Sequence, residues 1–250
     1  MGKLRRAVLS DQLRILSSFT VLEETAGALV EYPKEAFQRL RLIRKLAKRK
    51  KLINIHFRIL NDDIVSYATN QPFKSHFMAP LPRMRDLFLG RDLPGLIEVA
   101  KKTKENISSF KDEMRNSFST HIAPLAQAVI AQKVVPTFEE NYDANAIEFV
   151  RVMAQRSGEL ATCEERGLEG LLEVPSINVL VRAQLSLVYA NTYLGRLENH
   201  GDSRDMHHVL LAATTGVFIT QDNPLRKALK RGNSPYLTVL SLQDLLNSLP

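Results

Sequence analysis

Gly201-Asp-Ser-Arg-Asp205-Met-His-His-Val-Leu-Leu-Ala-Ala-Thr-Thr-Gly216-Val-Phe-Ile-Thr220-Gln-Asp222 decides how the rest of the chain is read. The stretch predicts a helix opened by Asp202 and Asp205, then a short apolar strand, Val217-Phe218-Ile219, with Thr220 and Asp222 at its carboxyl end. Open parallel sheets gather their ligands outside strand carboxyl ends and at helix starts. Carboxylates at those two points can share one divalent cation. Asp222 lies 17 positions after Asp205, room for roughly three helical turns and a strand. Each acid also has a plainer reading by itself, since Asp is a common N-cap and polar residues follow strands.

Downstream, the pattern continues with a short helix over 224–231, the turn Gly232-Asn-Ser-Pro235, a last strand over 236–240 and a closing helix over 242–249. Upstream, residues 13–16 read as a short strand and Ser17-Ser18-Phe19-Thr20 supplies capping residues for a helix carrying Val21, Ala26, Leu29 and Val30. Pro33 ends that helix and starts another, with Phe37, Leu40, Ile43 and Leu46 at helical spacing. Leu52-Ile53-Asn54-Ile55 reads as a strand, and Asn61-Asp62-Asp63 as the cap of a helix over 64–68. Residues 71–95 hold four prolines and two glycines and read as a boundary. From about 96 to 199 the pattern is helical, with helices expected near 96–117, 121–133, 142–165 and 176–199. Strands alternating with helices at both ends of the chain argue for an α/β fold with a parallel sheet. The expected organisation is one discontinuous α/β domain, 1–70 and 200–250, with a large helical insertion at 71–199.

Apolar content of 44% and charged content of 24% are those of a globular chain, and no apolar run approaches the roughly 20 residues of a membrane span. The N-terminus is basic, but Ser10, Asp11 and Gln12 interrupt any secretory apolar core. The single Cys163 fits a reducing cytoplasm, and its neighbours Glu164 and Glu165 disfavour a thiolate nucleophile. There is no Cys/His pattern for zinc. A formal charge of +7 and a pI near 9.5 suit a polyanionic partner. Nine cations fall within residues 34–51; Arg41, Arg44, Lys45, Lys48 and Arg49 are the candidate phosphate contacts, against the ordinary reading of a solvated helix face. With 7% aromatics and no Trp, base stacking is not the expected mode of recognition.

The acidic helix start followed by an apolar strand ending in Thr220-x-Asp222 resembles the C-terminal signature of PIN-domain nucleases. A second segment, Ser18-x-x-Val21-x-x-Glu24, resembles the family's Ser–apolar–acid spacing near its first helix. Taken alone that segment reads as a capping box. The resemblance covers about 110–120 residues at the two ends of the chain. It implies a PIN-like parallel sheet flanked by helices and an endoribonuclease-like phosphodiesterase cutting single-stranded RNA with Mg²⁺ or Mn²⁺. Glu24, Asp205 and Asp222 would be catalytic metal ligands, Asp202 a further ligand, Thr220 a supporting residue and Asn223 a weaker candidate. Hard cations prefer such oxygen donors and retain waters that can attack phosphorus. His207 and His208 are weaker candidates for an acid or a phosphate contact, since His packs or caps there as often.

The family's opening Asp-bearing strand has no counterpart, because Asp11 lies 13 residues before Glu24 on a segment that does not read as a buried strand. Three explanations are open: a chain that begins downstream of the true start, a strand supplied by a partner, or a degenerate relative without catalysis. The alternative function is a PIN-like scaffold that binds RNA or a protein partner. A mostly helical interaction protein whose acids are only caps is a third. In a toxin or defence effector the helical insertion would restrict substrate access or bind a protein; a homo-oligomer is compatible with any of these.

Overall fold

The structure, a computed structural model, describes residues 2–10, 12–13, 15–46, 52–54, 56–78, 97–98, 101, 135–195 and 202–249. The chain divides into two compact units, Met1–Ile55 with Ser75–Met114 and Leu246–Pro250, and His56–Lys74 with Arg115–Leu245.

In the first unit α1 (Gly2–Leu9) buries Ala7 and Val8, and α2 (Phe19–Gly27) packs against α3 (Pro33–Leu46). Ser18 caps α2: its backbone is extended and its hydroxyl accepts from the Val21 amide at 3.1 Å. Pro33 opens α3, where its missing amide hydrogen is no loss. Leu22, Leu29, Ala36 and Leu40 form the core between the two helices, joined by Phe37, Ile43 and Met78. β1 (Leu52–Ile53) pairs antiparallel with β2 (Phe77–Met78), Ile53 facing Phe77. Among the described residues of 13–16 no strand forms. The chain makes a single parallel bridge, Ser18 to Ile53, because it must turn into the α2 cap at that point.

The second unit is organised around α7 (Pro175–Tyr193), which is apolar on nearly every face and so must be covered on nearly every face. On one side Ile177, Val181 and Leu185 meet α4 (His56–Ala68) and α5 (Phe138–Arg156) in a core with Ile64, Val150 and Leu171. On the other side Val179, Ala183 and Leu187 meet Met206 and Val209 of α8 (Asp202–Ala212), Leu225, Ala228 and Leu229 of α9 (Asn223–Gly232), and Val239. Within this unit the helices of 135–173 and the elements of 202–240 share α7 as a common wall.

Two further expectations are corrected in this unit. A single helix over 142–165 is replaced by α5, with a capping box of Thr137 and Glu140, and α6 (Leu160–Arg166). Gly158, at φ +78°, makes the break between them. Asn61-Asp62-Asp63 does not cap a helix; α4 starts at His56 and runs through them. Asp62 pairs with Lys74 at 3.1 Å and Arg58 at 3.8 Å, while buried Asp63 accepts a hydrogen bond from the Ser176 hydroxyl in the first turn of α7.

β3 (Val217–Ile219) and β4 (Thr238–Leu240) are parallel neighbours, with Phe218 opposite Val239, as the sequence reading expects. α9 makes the crossover between them, which a parallel pair requires. Gly216, at φ +70°, turns the chain from α8 into β3. The segment 52–56, expected to complete this sheet, instead contributes β1 to the antiparallel pair of the first unit. The fold is thus mostly helical with a small parallel α/β element at the C-terminal end.

Candidate functional site

Each strand of the parallel pair hands over directly to a helix at its carboxyl end, and a carboxylate stands at each hand-over. After β3, the Thr220 amide continues the ladder to the Leu240 carbonyl at 3.0 Å. The Thr220 hydroxyl then accepts from the Asp222 amide at 3.1 Å. Asp222 is the N-cap of α9: its Oδ1 accepts from the Leu225 amide at 2.8 Å, and Pro224 follows in the first turn. Thr220 and Asp222 therefore knit one tight strand-to-helix turn. The half-buried Asp222 carboxylate sits at the positive end of the helix dipole. Among the described residues Oδ2 is left without a hydrogen bond. Exposed Asn223 is engaged locally, its Oδ1 accepting from Arg226 at 2.6 Å.

Asp244, after β4, was missed by the sequence reading. The Ser241 amide donates to Asp244 Oδ2 at 2.9 Å and the Asp244 amide to the Ser241 hydroxyl at 3.0 Å, a reciprocal cap for the closing helix α10 (Leu242–Ser248). Hydrogen bonds from the Ser241 backbone and side chain hold the Asp244 carboxyl below its ordinary value, with Arg226, 4.0 Å away, adding to them. The signal was present as Ser241-x-x-Asp244 directly after an apolar run.

Asp205 lies half-buried in the first half of α8, beside Met206, which joins Leu225 and Val239 in the core under the parallel strands. Asp202 begins the helix, and its side chain is outside the described residues. Glu24 is half-buried on α2, in the first unit, whereas Asp205 and Asp222 belong to the second. Among the described residues no group of three or more His, Cys, Asp or Glu side chains is placed to hold a metal ion. The donor chemistry of Asp222, a carboxylate with a second oxygen to give, nevertheless suits a hard cation such as Mg²⁺ or Mn²⁺.

His207 has a packing role. Its ring stacks on His56 with centroids 3.5 Å apart and planes 10° from parallel, tying the start of α4 to α8. Burial pushes the His56 imidazole down to about 4, and neighbouring His208 adds to the effect. His56 is therefore neutral at pH 7, with its Nδ1 buried and without a hydrogen-bond partner among the described residues. Cys163 is fully buried in the helical core, which pushes its thiol up, in keeping with an inert side chain.

Of the expected phosphate contacts, Arg41 and Lys45 are exposed on α3. Arg44 lies on the same helix with its side chain outside the described residues, and Lys48 and Arg49 lie outside them altogether. No helix among the described residues is long and apolar enough to cross a membrane. Comparison of the chain with protein-family models, curated proteins and solved structures gave no match.

Proposed function

We propose that the chain is a PIN-like, metal-dependent phosphodiesterase that cuts single-stranded RNA. The observation that carries this reading is the β3–α9–β4 unit, with Thr220 and Asp222 at the carboxyl end of a parallel strand, where open α/β sheets place their ligands. Asp222, with Asp205 and Asp202, would hold Mg²⁺ or Mn²⁺, and the bound cation would stabilise charge developing on the phosphate oxygens. The basic side chains of α3, Arg41, Arg44 and Lys45, with Lys48 and Arg49 beyond it, would meet the RNA backbone. A toxin or defence effector is the setting that suits such an activity.

The test is cleavage of a labelled single-stranded RNA in Mg²⁺ or Mn²⁺ by the wild type and by Asp222→Asn. Asn keeps a side-chain oxygen for the Leu225 amide, so the cap survives while the charge is removed. The variant should lose a factor of about 10² or more, equal to about 2.7 kcal/mol of barrier. A wild type inert with both metals, or a variant that cuts as well as wild type, would overturn the reading. One observation favours a second reading, a scaffold that binds RNA or a protein without cutting: one Asp222 oxygen already serves α9 as its cap. The scaffold would show no metal-dependent cleavage in either form.

A further inference from the structure

We infer that the cleft between the C-terminal end of α7 and helix α9 is a phosphate-binding site for a nucleic-acid strand. The cleft has a volume of about 380 Å³ and is lined by Ala190, Leu194, Asn223, Pro224, Lys227 and Arg231. Among the described residues no carboxylate lines it.

The cations are directed there by the way α9 is fastened. The Ser186 hydroxyl donates to the Ala228 carbonyl at 2.6 Å, and Arg182 donates to the Gly232 carbonyl at 2.9 Å. At Gly232 the helices are so close that a Cβ would lie 2.9 Å from the Arg182 carbonyl oxygen. Leu225, Ala228, Leu229 and Gly232 are therefore the buried face of α9. All four basic residues, Arg226, Lys227, Lys230 and Arg231, fall on the remaining surface. Lys227 and Arg231 are one turn apart on one side of the helix. Arg231 is held in place, its guanidinium 5.5 Å over the Tyr189 ring and its Nη1 3.5 Å from the Ser186 carbonyl.

Arg226 lies 4.0 Å from the Asp244 carboxylate, on which Lys230 also acts; among the described residues Lys227 and Arg231, the two cations of the cleft, form no ion pair. Cations arranged against one another without acids repel until an anion joins them. Asn223 and Pro224 place the first turn of α9, with its positive dipole end, at the same cleft. Ala190, Leu194 and Pro224 add an apolar floor that free phosphate has no use for and that a sugar or base can cover. A phosphodiester strand therefore fits better than an isolated anion. A strand seated here lies along the helix whose cap is Asp222. Only the assignment of that strand to RNA rests on the proposed function; the cleft itself needs no cleavage chemistry.

The test measures binding of a fluorescein-labelled oligouridylate to the whole chain in EDTA, across a salt series, with inorganic phosphate as a second probe. Lys227→Glu, an exposed substitution, should weaken RNA binding by about tenfold and lower the salt slope by about one phosphate contact. Arg231→Gln, checked by thermal melting, should act in the same direction if it folds. Binding measured in EDTA reports the cleft without any metal-dependent cleavage, which separates this site from the cleavage reading. Charge-dependent binding without any cleavage would leave the cleft standing and remove the nuclease. Unchanged RNA affinity and salt slope in folded Lys227→Glu would overturn the site. So would a Lys227→Glu effect confined to inorganic phosphate.

Discussion

Asp63 and Asp222 both serve the first turn of a helix, α7 in one case and α9 in the other. Asp63 is 1% exposed and reaches across from α4 to the Ser176 hydroxyl, so its carboxylate is enclosed by two helices. Asp222 caps its own helix with one oxygen, stands half-buried at a strand end, and keeps Oδ2 outside that bond. The same chemistry, a carboxylate against helix amides and hydroxyls, thus yields a closed arrangement at one place and an open one at the other. What separates them is topology: α7 is wrapped on both sides, whereas α9 starts at the rim of a two-stranded parallel sheet.

The largest expected effect lies on the closed side. Asp63→Ala should cost about 3 kcal/mol in denaturant unfolding, because it empties a buried position and leaves the Ser176 hydroxyl without its acceptor. A loss below about 1 kcal/mol would mean that Asp63 and Asp222 are equivalent caps, and the contrast would fail.

His56, at the other end of α4, gives the next effect. Its folded value, about 4, lies below the ordinary 6.5, so the unfolded chain takes up a proton that the native chain refuses. Stability should therefore fall as pH drops from about 6.5 to about 4, by about 2 kcal/mol after allowing for the ring's remaining exposure. His56→Phe keeps a ring to stack on His207 and removes the proton site. Its unfolding free energy should lose most of that slope, and an unchanged slope would assign the pH dependence to other groups.

Much of the open side was legible in the sequence. Val217-Phe218-Ile219 is a short apolar run bounded by Gly216 and Thr220, and the Asp222-Asn-Pro224 start and Gly232-Asn233 end bracket α9 by local chemistry alone. The closed side was less legible because its determinants are remote. Asn61-Asp62-Asp63 has the composition of a cap, and only Ser176, 113 residues away, makes Asp63 a helix-interior residue. Likewise β1 takes its partner from 77–78, inside a stretch read as loop. The continuous apolar character of α7 was visible, but that it joins the helical core to the parallel strands follows from packing that no local pattern states. At the candidate site, Asp222 and Thr220 were singled out by their place at the end of an apolar run. Asp244 and the cations of α9 were passed over because each reads locally as a cap or a solvated face.

The most direct measurement of the central claim is Mn²⁺ uptake by the whole chain, followed by electron paramagnetic resonance, with Asp222→Asn beside the wild type. Because Asn retains the α9 cap, the variant should unfold within about 0.5 kcal/mol of wild type. Wild type is expected to bind Mn²⁺ saturably, and Asp222→Asn to bind it at least about tenfold more weakly. Equal uptake by the two proteins, or no uptake by wild type, would contradict the account and leave Asp222 as a helix cap alone.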